Sequence, residues 1–373
     1  GYQRSVLVRA GIAQLNSDWT DRFHTEARFL YKSNEVTQAP LNGLGFAQFR
    51  ICTDPISVNN NTGNSITNCG TAPVIAIGPD SNRQANALFF DTWGGSLLGR
   101  YNAEDHEIRL LAEYNRNRTT NLFLANAAGA YYFDSLADFQ NRRATQLVYQ
   151  NALSGNVDDS AANFVYDQWT FGVQDTWQIA DNLDLTYGFR YDLYGMRSEV
   201  PGNINFFNRN GFYNTQTYKG LDNFQPRLSV NWQPIDRLRI RAGASVFGGG
   251  NPDIYLSNSY SNTGITTNQI TLQRSGTGTG VCTTPSATVC AAGLDGVTGT
   301  AIPGAVTDFL VNATGSRTAP VSALSQNFRP PSVTKFNASA DYSIFGINVG
   351  ADYLFTMTNH GVAFTELRAR QAG

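Results

Sequence analysis

The feature that most constrains this chain is a two-residue period held over stretches longer than an ordinary strand. Between Leu183 and Leu193, one face carries Leu183, Leu185, Tyr187, Phe189, Tyr191 and Leu193. The other carries Asp184, Thr186, Gly188, Arg190 and Asp192. Leu238, Ile240, Ala242, Ala244 and Val246 oppose Arg239, Arg241, Gly243 and Ser245 in the same way, as Ile347, Val349, Ala351, Tyr353 and Phe355 oppose Asn348, Gly350 and Asp352. Weaker alternation covers 4–15, 22–32, 93–102, 106–118, 164–179, 226–233 and 333–344. The pattern predicts about ten strands, most of roughly 10–15 residues, where globular strands average about 5–6 and membrane-crossing strands need about 9–11.

The connections sharpen the reading. Tight polar links at 16–19, 102–105, 180–182, 233–236 and 345–346 alternate with long segments at about 35–91, 119–163, 198–223 and 248–332. Several structureless stretches of that length are unusual in a soluble domain. Short turns at one end and long loops at the other are the plan of a bacterial outer-membrane barrel. The predicted fold is therefore all-β: an antiparallel transmembrane β-barrel with short periplasmic turns and long external loops.

The two faces agree with this. In a barrel spanning lipid the apolar face points outward and the polar face lines the lumen. The polar positions Arg109, Glu113, Arg190, Asp192, Arg227, Arg239, Arg241, Asp341 and Asp352 are the candidate lumen residues, weighed against a structural role in cross-strand charge pairs. Trp93, Tyr101, Tyr114, Trp177, Trp232 and Tyr342 fall near strand ends on the apolar face, where interfacial girdles sit. One strand breaks the rule: Asp167 and Asp175 share a face with Val165, Trp169, Phe171, Val173 and Trp177. Either both lie at the interfaces or a β-bulge shifts the register.

Composition excludes other classes. With 27 Lys and Arg against 29 Asp and Glu, the net charge of −2 offers no basic surface for nucleic acid. Aromatics at 12% exclude a disordered chain, and no apolar run reaches the length of a transmembrane helix. The four cysteines fall in the long loops as local pairs, Cys52 with Cys69 and Cys282 with Cys290. Although four cysteines allow three connectivities, the separation between the pairs favours two local disulfides and an oxidising compartment. A metal site is the weaker alternative, since no His lies near any Cys.

In the second long loop, Asp134 and Ser135 form a helix-start signal before Leu136, Phe139, Arg143 and Leu147, predicting a short helix across the barrel mouth. The three His are scattered, Gly276–Gly280 lacks the Lys of a phosphate loop, and no G-x-S-x-G elbow occurs. The sequence gives no reason to expect an enzyme, a cofactor or a metal.

Two stretches carry a family resemblance. Phe171-Gly172-Val173-Gln174-Asp175-Thr176-Trp177, followed by Leu183–Asp192, resembles the QDxW…LTLxxGLRYD hairpin of TonB-dependent outer-membrane receptors. Asn223–Trp232 resembles the F-x-PRLG-x-x-W strand that follows it. Phe247–Pro252 with Ser257–Gly264 looks closer to the Oar-like branch. The resemblance implies part of a 22-stranded barrel in the bacterial outer membrane, with lipid and the TonB complex as partners. It implies uptake of a solute of siderophore, oligosaccharide or peptide class, bound at the external loops. The family also has a signal peptide, TonB box and plug, and a terminal aromatic where this chain has Ala372-Gly373. These departures lead to the expectation of a middle-to-late barrel fragment lacking the plug. The alternatives are a passive porin or surface adhesin or export barrel, and a soluble secreted all-β carbohydrate-binding protein whose apolar faces would pack on a second sheet.

Overall fold

The computed structural model of the 373-residue chain describes residues 1–41, 43–54, 69, 72–250, 253–275, 280–313 and 320–367. Ten long strands form one antiparallel meander: β1 (Tyr2–Asp18), β2 (Phe23–Pro40), β5 (Asn86–Ala103), β6 (His106–Phe123), β9 (Ala162–Ala180), β10 (Leu183–Met196), β11 (Asp222–Ile235), β12 (Leu238–Gly248), β14 (Ser332–Ile344) and β15 (Ile347–His360). Among the described residues, each pairs only with its neighbours in this order, so β1 and β15 each keep one edge without a partner strand. Among the described residues, no helix is long and apolar enough to cross a membrane.

The strands run longer than their periodicity alone marks. The extra length lies mostly at the long-loop end, where the polar face is covered by other parts of the chain. The tight links are built for hairpins. Ile344 pairs with Ile347 across Phe345 and Gly346, whose φ values of 50° and 78° lie in the left-handed region, as a two-residue turn that matches the right-handed twist of the strands needs.

Among the described residues, the apolar face meets no second sheet. Tyr187, Phe189 and Leu228 stay 41, 39 and 51% exposed on it. A soluble sandwich would have buried them, so the carbohydrate-binder alternative is excluded. Asp167 and Asp175 do lie on this face, and β9 pairs with β6 without a register shift, so no bulge is involved. They stand eight residues apart, about 26 Å along a strand, close to the height of the apolar band of an outer-membrane barrel. Each is held at its end: Asp167 accepts from the Tyr114 hydroxyl at 2.6 Å, and Asp175 Oδ2 accepts from the Tyr187 hydroxyl at 2.8 Å and lies 2.7 Å from His106 Nδ1, while its Oδ1 is buried without a partner.

The long loops differ from expectation, because they have a core. The first contributes β3 (Gln48–Cys52) and β4 (Val74–Ile77). The second contributes β7 (Ala130–Phe133), α1 (Leu136–Gln140) and β8 (Gln146–Ala152). The fourth contributes β13 (Thr267–Gln273), α4 (Ala287–Leu294) and α5 (Gly304–Asn312). The third contributes α2 (Ile204–Asn210), and α3 (Asp253–Ser261) opens the fourth. The short strands join in a second sheet of order β13-β8-β7-β3-β4, with β3 parallel to β7 and the other pairs antiparallel. No single loop could bury its apolar residues alone, but together Ile51, Phe133, Leu147, Leu272, Leu294 and Leu310 make one buried cluster. Cys52–Cys69 and Cys282–Cys290 are both bonded, with Cα separations of 5.4 and 5.7 Å, and all four cysteines are buried. The run Gly276–Thr279 lies outside the described residues, as do Asn251 and Pro252.

Leu147 is fully buried at the centre of this cap. Leu147→Ala should destabilise the cap by about 2–5 kcal/mol. Limited proteolysis should then cut the loops faster, while the long sheet keeps its resistance to unfolding in detergent.

Candidate functional site

The candidate site begins on the polar face of the long sheet and ends in the cap above it. Strand alternation places all nine predicted residues on that face, and a subset is drawn together. Asp192 is almost wholly buried and accepts three hydrogen bonds: from Thr170 Oγ1 at 2.7 Å, Arg190 Nε at 2.9 Å and Gln225 Nε2 at 2.6 Å. Three donors, one of them a guanidinium, offset the cost of burying that carboxylate. Glu113 lies 4.0 Å from Arg190 on its far side. Arg241 pairs with Asp341 across β12 and β14. Arg109 instead pairs along its own strand with Glu107, at 2.5 Å. Arg227, Arg239 and Asp352 make no ion pair among the described residues.

Sequence reasoning missed Gln225, which ties the network to the outer end of β12: its Oε1 accepts from the Gly248 amide at 2.9 Å. The helix expected after Asp134-Ser135 is present but shorter, and it is built into the cap. Ser135 does cap α1, accepting from the Asp138 amide at 3.0 Å, but the helix stops at Gln140 and Leu147 lies in β8. Phe139 of α1 packs edge-on against Phe49 and Phe133 within the cap. The helix lying on the polar face is α3. Asn121 of β6 donates to Ser257 Oγ at 2.7 Å, and Tyr260 stacks on Phe164 of β9 with ring centres 5.1 Å apart.

Asp253, the first residue of α3, points into an aromatic cage. Tyr166 donates to its Oδ2 at 2.9 Å, while its Oδ1 is buried without a partner. The Tyr218 hydroxyl faces the same carboxyl and, like Tyr166, favours its charged form. Burial outweighs these contacts and pushes the Asp253 carboxyl up to about 6 from an ordinary 3.8. Burial beside Asp253 also pushes the Tyr218 phenol well above its ordinary range.

In the cap, a cavity of about 350 Å³ is lined by Phe49, Phe133, Phe139, Gln140, Arg142, Val297 and Thr298. Gly299 packs so closely on the Phe49 ring that an added Cβ would fall 2.2 Å from it. Arg142 sits at the rim with a left-handed φ of 55°. A flat apolar group could lie against the rings, with its anionic end towards the guanidinium. Among the described residues, no three His, Cys, Asp or Glu come together as metal ligands.

The profile of the outer membrane beta barrel domain family matches residues 7–367. The chain belongs to that family. No curated protein matches it in sequence. Its fold is similar to that of the outer membrane transporter YddB from Escherichia coli, with TM-score 0.53 and 10% identity over 96% of this chain and 35% of that one. The copper transporter OprC gives TM-score 0.42 and 10% identity over 94% and 38% of the two chains. The translocator domain of the autotransporter NalP from Neisseria meningitidis gives 0.30 and 10% over 96% and 76%. The chain thus spans little more than a third of the two transporters. Family and fold place this outer-membrane barrel chain in the bacterial outer membrane.

The raised Asp253 carboxyl predicts a pH dependence. Its folded-state value exceeds its unfolded one, so docked α3 is most stable below about pH 4 and loses that stability as pH rises through about 6. The full difference is about 3 kcal/mol. Protection of α3 amides, corrected for intrinsic exchange, should fall between about pH 4.5 and pH 7.5 in the wild type. Asp253→Asn should make it flat.

Proposed function

We propose that this protein is a TonB-dependent receptor of the Oar-like branch, which captures a solute at its external cap and imports it across the outer membrane. The observation that carries the reading is the cap itself: separate loops share one disulfide-linked core and hold an aromatic cavity over the strand ends. A passive pore needs an open mouth, whereas here α3 lies on the polar face and the Asp192 network is buried beneath the loops. The Phe171–Asp192 hairpin supports the same family reading.

In this proposal the Phe49, Phe133 and Phe139 rings with Arg142 favour a solute combining a flat apolar group with negative charge, within the siderophore or peptide classes. Arg190, Asp192, Arg241 and Asp341 would line the inner path. The chain binds and passes its solute without altering it chemically.

The test is uptake from a defined mixture of siderophores, oligosaccharides and peptides by cells with and without the gene. At least one solute should disappear from the medium only when the gene is present and the inner-membrane proton gradient is intact. Uptake that persists after a protonophore would assign a passive pore instead. Phe139→Ala with Arg142→Gln should weaken binding of that solute by about 100-fold, from the loss of ring contact and one charge-assisted hydrogen bond.

A further inference from the structure

The apolar face carries a second anomaly, near the outer ends of β1, β2, β5, β6 and β9. Cross-strand register brings Arg9, Ser33, Asp91 and Arg118 into one row and Tyr31, Trp93, Arg116 and Asp167 into the next. Between them lies a cavity of about 230 Å³ lined by Tyr31, Asp91, Trp93, Arg116 and Arg118. This is the outward side of the sheet, so a charge here belongs neither to the polar face nor to the cap. We propose that this cavity holds the phosphate of a lipid headgroup from the outer leaflet.

Four observations converge on that ligand. First, Arg118 is exposed and makes no ion pair among the described residues. Second, Arg116 is held only loosely: Asp167 stands 3.8 Å away and already accepts from the Tyr114 hydroxyl at 2.6 Å. The two guanidiniums, two positions apart on one strand face, stand about 7 Å apart at their Cα atoms and can close on one phosphate from two sides. Third, the depth is that of headgroups. Directly below lies an aromatic belt in which Trp93 packs edge-on to Tyr114 at 5.6 Å and Tyr114 tilts onto Trp169 at 4.4 Å. Fourth, the surface continues below that belt as Phe29, Leu97, Leu110 and Phe171, which are 53, 53, 55 and 45% exposed and would lie along acyl chains.

The last point selects a lipid over free phosphate, because the cavity lies on the outward face of the sheet, directly above side chains that would meet acyl chains. Asp91 adds a requirement. Beside two arginines it can accept from a hydroxyl or amine close to the phosphate, which suits a phosphorylated sugar headgroup.

The test uses this chain in detergent micelles and native mass spectrometry, with diphosphorylated lipid A, enzymatically dephosphorylated lipid A and inorganic phosphate as probes. The wild type should retain the diphosphorylated lipid after the micelle is stripped and release the dephosphorylated one. Arg116→Gln with Arg118→Gln should lower retention by at least about tenfold, since each arginine near a membrane surface contributes about 1 kcal/mol. Inorganic phosphate at equal concentration should not compete. Equal retention of both lipids, or by wild type and double variant, would overturn the proposal. Displacement by inorganic phosphate would overturn it too, assigning a solution anion site. If the double variant does not fold, Arg118→Gln alone carries the test, since that side chain is exposed and unpaired, and full retention by it would count against the site.

Discussion

Hydrocarbon offers no hydrogen-bond partner to a peptide group, and most of this structure follows from that. Every strand that crosses lipid must hand its amides and carbonyls to a neighbour, each unmet group costing several kcal/mol. The meander does this with tight turns between strands that are 11–19 residues long. The same demand makes the free edges of β1 and β15 pairing surfaces. Side chains then sort by face. Aliphatic and aromatic groups turn to lipid, and the charges that would be intolerable there gather on the opposite side.

The cap solves a different problem. Loops above the membrane are free to hydrate their backbone, so nothing in the ladder obliges them to fold. They fold because their apolar residues are sufficient only when pooled. The parallel pairing of Gln48–Ile51 with Ala130–Phe133 joins two loops, and the antiparallel pairing of β13 with β8 joins a third. Arg274 seals the junction: its guanidinium is buried, donates to the Ala144 carbonyl at 3.0 Å and pairs with Asp295 at 2.6 Å. A cap built this way gives its cavity walls from different loops a fixed geometry, which separate mobile loops could not.

How much of this was legible in the sequence follows from the range of the interactions. A long strand in lipid writes its environment into every second residue, so Leu183–Leu193 reads correctly without any knowledge of its neighbours. Even the exception was informative, because Asp167 and Asp175 break the pattern at a spacing that matches the apolar band. The cap had no such code. Its strands are as short as four residues, too few for a period to show, and their partners lie far away in the chain. Phe49 and Phe133 carry no signal in the sequence, and Phe139 reads only as one position of a short helix, because what unites the three rings is the tertiary fold. Arg190 and Asp192 could be placed on a face, but the sequence could not say that Thr170 and Gln225 would complete the network. Asp253 carried no signal at all, being one acid at a helix start among many in polar loops.

The acids of this chain make the final argument, because the same side chain is treated in three ways. On the lipid face, Asp167 and Asp175 are tolerated at the two ends of the apolar band, each held by a tyrosine hydroxyl. On the polar face, Asp192 is buried more deeply than either, yet three donors saturate one carboxylate. Under the cap, Asp253 has a cage of rings and one firm hydrogen bond, with one oxygen left bare. The first two arrangements fix structure, since each carboxylate is tied by hydrogen bonds to side chains of neighbouring strands. The third is better matched when a proton is present, so one of the contacts that seat α3 on the polar face weakens as pH rises towards neutrality. α3 is thereby held in part by a contact that yields to pH, beside the Asn121–Ser257 hydrogen bond and the Phe164–Tyr260 stack, whereas the ladder and the cap core on either side of it do not depend on that carboxyl.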